Sequence, residues 1–360
     1  MPVNRDTSLT TTSMPCGICG TARVSLFLLA LLFLWLAGCS QRAADAAPSG
    51  TGATSAQPRS STPVPGSGAA KIGSAAPLPQ FNGNAALQFV REVTEFGPRW
   101  VGSPGHSKTE NFLRAQLKGA DLEEDAFSAT TPAGPKLMRN FIARYPGTQE
   151  CIVVVAGHYD TLYERPDFVG ANDGGSSTGL LLELAKELAG GSKNRAREGC
   201  SVWLAWLDGE EAFRTWTDTD SVYGSRQLAG KWQADGTLRR VKAFLLVDMV
   251  GDADLNIERD ASSTLWLEDL IYQAASRYGY QSHFFGRSVP MEDDHTPFAK
   301  LGVPVADLID FDYGYANAFW HTKADTIDKL SPKSLEIVGE TVKEAIHMLD
   351  QPSPETPTTK

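Results

Sequence analysis

Residues 200–211 read CSVWLAWLDGEE, an apolar run that ends in three carboxylates within four positions, Asp208, Glu210 and Glu211. Like charges this close repel one another and raise each other's pKa. A folded protein tolerates such a cluster where a positive charge lies between the acids, or where the site needs a base. The stretch therefore predicts a buried strand that leads into a charged functional site.

Two further segments have the same form, residues 151–160 (CIVVVAGHYD) and residues 241–252 (VKAFLLVDMVGD). Their hydrophobicity is continuous rather than alternating, which indicates strands buried on both faces, as in a parallel sheet. Residues 173–191 (DGGSSTGLLLELAKELAGG) lie between the first two strands and carry leucines at helical spacing. Strands that alternate with helices predict an α/β fold, a three-layer αβα sandwich around a central mixed, mostly parallel sheet.

Residues 1–38 have the features of a secretion signal. Arg23 precedes residues 24–37 (VSLFLLALLFLWLA), an apolar run shorter than the roughly 20 residues of a typical spanning helix. The run leads into Gly38-Cys39, and small residues before a cysteine resemble the lipobox of bacterial lipoproteins. That resemblance implies a lipidated Cys39 that anchors the chain in the bacterial cell envelope. Because Ser40 follows rather than an aspartate, it also implies the outer membrane, facing the periplasm. An ordinary secretion signal with an incidental cysteine is the alternative.

The rest of the chain divides by composition. Residues 39–78 are rich in Ala, Ser, Gly and Pro and cannot bury a core, so they are expected to form a flexible tether. A folded domain is expected over residues 79–351, followed by a disordered tail at residues 352–360. The formal net charge is −10, which argues against a nucleic-acid partner because such proteins present a basic face.

Acidic and imidazole side chains follow the predicted strands. His158 and Asp160 end the first strand segment, Asp248 ends the third, and Asp173 and His321 lie in later polar clusters. In open α/β sheets, ligands bind beyond the carboxyl ends of the strands. Carboxylates and imidazoles that converge there are typical zinc ligands. Each residue alone has a plain structural explanation, such as a helix cap or a buried core histidine, but all of these explanations would have to hold at once.

Six motifs occur in the order seen in zinc aminopeptidases and in their relatives, the glutaminyl cyclases. They are GHYDT at residues 157–161, FVGANDGGSS at 168–177, LDGEEAF at 207–213, VDMVGD at 247–252, EDDHTPF at 292–298 and FWHTKADT at 319–326. The resemblance implies that Asp173, Glu211 and His321 bind zinc. It also implies that Glu210 is the general base and acid of a zinc-dependent catalytic domain.

The resemblance leaves the number of metal ions open. His158 and Asp248 match the residues that hold a second metal in two-metal aminopeptidases, whereas in the cyclases the same positions surround a single zinc. His158 and Asp160 are therefore candidates either for a second metal or for support of the first. One Zn²⁺ ion is expected in a cyclase and two in an aminopeptidase.

Three features resemble the cyclases more than the aminopeptidases. A segment with Trp216 follows the Glu pair, Asp293 stands where aminopeptidases typically carry serine, and Trp320 precedes His321. We therefore expect a glutaminyl-peptide cyclotransferase, which converts an N-terminal glutamine to pyroglutamate and releases ammonia. Asp248 and Asp293 are expected to hold its proton network together.

Trp216 and Trp320 are expected to wall a small pocket around the glutamine side chain and to exclude water. Packing within the core is the alternative role for both. The expected substrates are N-terminal segments of peptides or proteins, and the alternative enzyme is a zinc aminopeptidase that hydrolyses the first peptide bond. A non-catalytic, metal-stabilised binding lipoprotein is disfavoured, because a purely structural site has no need of the free Glu210 carboxylate.

Cys151 and Cys200 begin the first two predicted strands. If these strands are parallel neighbours, about 4.8 Å apart, the two cysteines lie side by side at the amino edge of the sheet. An exported protein can form a disulfide there. Two buried free thiols in strands that are not adjacent are the alternative.

Overall fold

A computed structural model of the chain describes residues 80–190 and 196–351. The expected signal, the lipidation site Cys39, the tether and the C-terminal tail lie outside these residues. Across the two described ranges, no helix is both long enough and apolar enough to cross a membrane.

The described ranges contain strands β1 (Asp121–Thr131), β2 (Gly134–Tyr145), β3 (Ile152–His158), β4 (Ser201–Leu207), β5 (Val241–Asp248), β6 (Ile257–Asp260), β7 (Phe284–Val289) and β8 (Val305–Ile309). The central sheet has the order β1-β2-β4-β3-β5-β8, and β6 and β7 form a separate parallel pair. Strands β4, β3, β5 and β8 are parallel, while β1 and β2 are antiparallel strands at one edge. The predicted mixed, mostly parallel sheet is confirmed.

The β1–β2 hairpin has no counterpart in the sequence prediction, which rests on continuous apolar runs. Most side chains of β1 are at least partly exposed, because this strand forms the sheet edge and faces water. An edge strand of this kind carries charged residues and lacks the apolar run of a central strand.

Helices cover both faces of the sheet. They are α1 (Gly83–Thr94), α2 (Pro104–Gln116), α3 (Gly175–Gly190), α4 (Tyr223–Asp235), α5 (Leu265–Arg277), α6 (Thr296–Ala299) and α7 (Pro332–Asp350). Val153 and Val155 of β3 belong to the core that contains α1, α3, α5 and α7. Val154 and Ala156 belong to the second core, which contains α4 and α6. Successive side chains of a strand point to opposite faces, so β3 is buried on both sides, and the three-layer prediction is confirmed.

The structure joins Cys151 and Cys200 in a disulfide, with 4.7 Å between the two Cα atoms. Strands β3 and β4 are parallel neighbours, and Ile152 pairs with Ser201 in their register. The bridge therefore lies at the amino ends of both strands, and the alternative of non-adjacent thiols is wrong.

Candidate metal centre

The carboxyl ends of the parallel strands carry the predicted site. Strand β3 ends at His158, which pairs with Leu207 at the end of β4, and β5 ends at Asp248. Because parallel strands finish at the same edge, residues that follow them in separate parts of the chain meet there. The next polar residues after β4 are the three acids of the LDGEE stretch.

Asp208 of that stretch does not belong to the metal centre. One of its carboxylate oxygens is 2.8 Å from Nε2 of His106, and the other accepts the main-chain N–H of Arg139 at 2.7 Å. The side chain is fully buried and fastens α2 and β2 to the end of β4. The sequence stretch thus contains one structural acid and two acids that face the site.

Asp160 orients the Glu210–Glu211 turn. Its carboxylate accepts the main-chain N–H of Glu210 at 3.1 Å and that of Glu211 at 3.4 Å. Gly209, with φ of 68°, occupies the left-handed region that turns the chain immediately before the pair. Asp160 therefore supports the two glutamates through their backbone.

The three predicted zinc ligands meet at one point. Nε2 of His321 is 3.3 Å from Oδ2 of Asp173 and 3.3 Å from Oε1 of Glu211. Two ligand atoms bound at about 2.1 Å to a tetrahedral zinc lie roughly 3.4 Å apart, so the observed spacing fits that geometry. The residues present therefore suit a zinc ion held by two carboxylates and one imidazole.

The hydrogen bonding at these ligands also favours a cation. Oδ2 of Asp173 and both carboxylate oxygens of Glu211 are buried and have no hydrogen-bond donor among the described residues. Buried polar atoms are normally paired, because an unpaired one retains its full desolvation cost. A metal ion held by Asp173 and Glu211 would supply these carboxylates with the positive partner that they lack.

A second group of ligand-type residues shares Asp173 with the first. Nε2 of His158 is 3.2 Å from Oδ1 of Asp173 and 3.1 Å from Oδ1 of Asp248. Asp173 therefore directs one oxygen towards His321 and the other towards His158. This geometry suits one metal ion with a hydrogen-bonded imidazole beside it, and it also suits a pair of ions that share Asp173.

Burial and mutual repulsion shift the pKa values of the acids. Burial raises the pKa of Glu210 well above its ordinary value, and the charge of Asp293 adds to the increase while His158 opposes it. Burial, with Asp248 nearby, raises the pKa of Asp293 to about 7. Burial also raises the pKa of Glu211 to about 7. Burial and mutual repulsion therefore oppose full ionisation of these acids in the metal-free site, and a bound cation would favour their charged forms.

The two predicted pocket tryptophans lie in different parts of the site. Trp320 stacks on the ring of His321, with ring centroids 3.9 Å apart and an interplanar angle of 25°. Trp216 lines a cavity of about 120 Å³ together with Asp293. Both indole rings are half-buried, so neither is a simple core residue. Trp320 packs against a ligand, and Trp216 shapes the space next to Asp293.

His295 stays outside the metal centre, although it follows Asp293 in the EDDHTPF motif. Its Nε2 is 3.1 Å from Oδ2 of Asp260, and its Nδ1 is 3.5 Å from Oδ2 of Asp307. All three side chains are buried beside the end of the sheet. The imidazole therefore lies between two carboxylates, apart from the three predicted ligands.

Two residues that contact the Asp173 loop, Arg99 and Asp325, have no role predicted from the sequence. Arg99 is fully buried and donates to main-chain carbonyls of that loop, and the Asp325 carboxylate accepts main-chain N–H groups from it. Asp325 lies within the FWHTKADT motif, close in sequence to the predicted ligand His321. That position could have indicated a role at the site. Arg99 precedes α2 and carries no such signal.

Comparisons with known proteins agree with this geometry. Residues 140–346 match the model of peptidase family M28. A glutaminyl-peptide cyclotransferase of Drosophila melanogaster is 32% identical over 270 residues, which cover 67% of this chain and 75% of that protein. A glutaminyl-peptide cyclotransferase-like protein of Bos taurus is 34% identical, over 66% of this chain and 68% of its own length. The solved structure of an Acidobacteriales bacterium glutaminyl cyclase is 47% identical, with a TM-score of 0.74, and covers 79% of this chain and 99% of that one.

Proposed function

The chain belongs to peptidase family M28 and, within it, to the glutaminyl-peptide cyclotransferases, and we propose that it converts N-terminal glutamine to pyroglutamate with release of ammonia. The observation that carries the proposal is a buried, unliganded glutamate beside a ligand triad. Glu210 contributes no atom to the Asp173–Glu211–His321 group. It immediately precedes Glu211, however, and the Asp160 carboxylate accepts the main-chain N–H groups of both glutamates. A glutamate that does not bind the metal can accept and return a proton while the three ligands stay in place.

The reaction forms one C–N bond and breaks another. The α-amine of the substrate attacks the γ-carbonyl carbon of the same glutamine, and the side-chain amide nitrogen leaves as ammonia. Zinc, when bound, supplies the Lewis acid that polarises the γ-carbonyl. Glu210 accepts a proton from the attacking amine and returns it to the departing nitrogen, so its protonation state is restored at the end of the cycle.

Asp248 and Asp293 support this proton transfer. The Asp293 and Glu210 carboxylates repel each other, and both are buried, so the pair holds a proton more readily than either acid does in water. Asp248 is hydrogen bonded to His158, which also faces Glu210, with 3.7 Å between Nδ1 and Oε2. The three acids therefore share one buried network in which a proton can be retained beside the substrate.

The cavity beside Asp293 suits a small substrate group. Its volume of about 120 Å³ is well below the roughly 300–1,000 Å³ of pockets that enclose drug-sized ligands. Trp216 forms one wall and would shield a substrate group held there from water, which would favour attack by the amine over attack by water. Among the residues that line this cavity, Asp293 alone belongs to the proton network, so the cavity adjoins the metal centre and would receive a substrate group that extends from it.

Mass spectrometry of two peptides tests the proposal. A peptide that begins with glutamine should lose one ammonia and become pyroglutamyl, whereas a matched peptide that begins with leucine should remain intact. Release of free amino acids from either peptide, without pyroglutamate, would instead show the aminopeptidase activity. Zinc content measured on the same sample should be one ion per chain, and two would favour the aminopeptidase chemistry.

We also propose that the enzyme is anchored through lipidated Cys39 to the outer membrane and faces the periplasm. The support is the order Leu36-Ala37-Gly38-Cys39 after an apolar run, followed by Ser40. Cys39→Ala should abolish the lipid modification. The variant should then either be found in the soluble fraction or keep its uncleaved signal segment. Mass spectrometry of the mature N-terminus should show a lipidated cysteine, and an unmodified one would contradict the anchor.

A further inference from the structure

The main chain of Asp173 is held on both sides by buried side chains from distant parts of the sequence. On one side, the Asp325 carboxylate accepts the N–H of Asn172 at 2.8 Å and the N–H of Asp173 at 3.1 Å. The hydroxyl of Tyr313 donates to the same carboxylate at 2.8 Å. Asp325 is fully buried, so these bonds do not compete with water.

On the other side, the guanidinium of Arg99 donates to carbonyls of the segment that joins β3 to α3. Nε donates to the carbonyl of Tyr159 at 2.9 Å, and Nη1 donates to that of Val169 at 2.5 Å. Nη2 donates to the carbonyl of Gly170 at 2.8 Å and to that of Asp173 at 3.3 Å. One planar group thus fastens both ends of the loop that delivers Asp173.

The charge of Arg99 matters as well as its hydrogen bonds. Its side chain is fully buried, and burial lowers its pKa to about 10, while Asp325, Asp173 and Asp160 oppose that decrease. The guanidinium therefore stays charged at neutral pH. The charged guanidinium lies near several carboxylates of the site and offsets part of their mutual repulsion.

The loop itself leaves little room for another conformation. Gly170 has φ of 53° and Gly174 has φ of 72°, both in the region that favours glycine. A Cβ atom on Gly170 would lie 2.4 Å from the carbonyl oxygen of Asp173, and one on Gly174 would lie 2.6 Å from that of Asp160. The backbone of the loop from Gly170 to Gly174 therefore depends on close contacts, and side chains from other parts of the chain must hold it in place.

We propose that Arg99 and Asp325 form a clamp on the Asp173 backbone that sets how tightly the centre holds zinc. The inference rests on the proposed zinc centre and concerns residues that contact no ligand atom of the metal. Partners that orient a metal ligand typically contribute about 10–100-fold to metal affinity. Both residues are therefore positioning residues and take no part in proton transfer.

Zinc affinity of the purified full chain, measured by competition with a chelator, tests the clamp. Asp325→Asn keeps the size of the side chain. Its amide nitrogen, however, would face one of the two main-chain N–H groups that the wild-type carboxylate accepts, so one of these hydrogen bonds is lost. Arg99→Lys keeps a charge but cannot form the planar fork that reaches several carbonyls. Each variant should bind zinc about 10–100-fold more weakly than the wild type.

Tyr313→Phe is the matched control, because it removes a hydrogen bond from the same Asp325 carboxylate without releasing Asp173. It should lower the urea midpoint of unfolding while zinc affinity stays within about twofold of the wild type, a change below roughly 0.4 kcal/mol. Folded Asp325→Asn and Arg99→Lys proteins with wild-type zinc affinity would overturn the clamp. If Arg99→Lys does not fold, Asp325→Asn decides alone. A wild-type chain without zinc affinity would refute the zinc centre itself, which is a separate outcome.

Discussion

Removal of the Cys151–Cys200 disulfide should reduce stability strongly and leave catalysis almost unchanged. The two cysteines are 49 positions apart, and the chain-entropy model assigns about 4 kcal/mol to a loop of that length at about 25 °C. The loop closed by the disulfide contains the segment that positions Asp173 and the whole of α3. The cross-link therefore constrains a large part of the folded domain. The expected loss is a large part of the roughly 5–15 kcal/mol by which a domain is normally stable.

Distance explains why catalysis should be spared. Strands β3 and β4 each have seven residues, and a strand rises about 3.3 Å per residue. The disulfide at the amino ends therefore lies roughly 20 Å from the His158 end of the sheet. A change at the cysteines reaches the metal centre only if the sheet itself rearranges.

Urea denaturation followed by circular dichroism measures the effect. The oxidised wild type is compared with the reduced wild type, which keeps both side chains, and with the Cys151→Ala/Cys200→Ala double variant. The reduced protein isolates the cross-link, and the double variant adds the cavity left at the fully buried Cys200. A difference below about 1 kcal/mol between oxidised and reduced protein would contradict the loop-entropy reasoning. A loss of turnover at temperatures where both forms are folded would contradict the argument from distance.

Three further predictions concern the site. Glu210→Gln should lower turnover by about 10²–10⁴ with zinc still bound, because an amide cannot accept the proton; near-normal turnover would assign the base to another residue. His321→Ala should lose tightly bound zinc, as measured by metal analysis after dialysis, and an unchanged zinc content would reject the ligand assignment. Trp216→Ala should raise the KM for glutamine-led peptides by about 10-fold or more, because the cavity beside Asp293 loses a wall, and an unchanged KM would place the glutamine side chain elsewhere.

Local patterns were sufficient to predict the parallel core, and the predicted ligand set came from the resemblance of six motifs to a known family. Residues 152–158 and 201–207 are almost continuously apolar, as in a strand covered on both faces, and both are central strands that are buried at every position. Asp173, Glu211 and His321 lie in motifs whose residue order is specific, so their convergence was predictable before the fold was known. The strand starts made a Cys151–Cys200 disulfide one of two alternatives, and the observed pairing of β3 with β4 decides in its favour.

Other features have no local signal. The charged edge strand β1 does not contain an apolar run, because one of its sides faces water. Asp208 and Glu210 are two positions apart in one motif, yet the first fastens α2 to the sheet and the second faces His158 at the candidate metal centre. His295 likewise looks like a ligand in its motif but lies between Asp260 and Asp307.

The amino-acid sequence by itself determined the layers of the fold and the chemical types at the centre, because hydrophobic periodicity and motif order act over a few neighbouring residues. Only the tertiary structure decided which distant side chains support that centre. Arg99 and Asp325 meet at Asp173 because the loops after α1 and after His321 converge at the same sheet edge. Their roles depend on burial, which removes water as a competing partner, and burial is a property of the packed molecule as a whole.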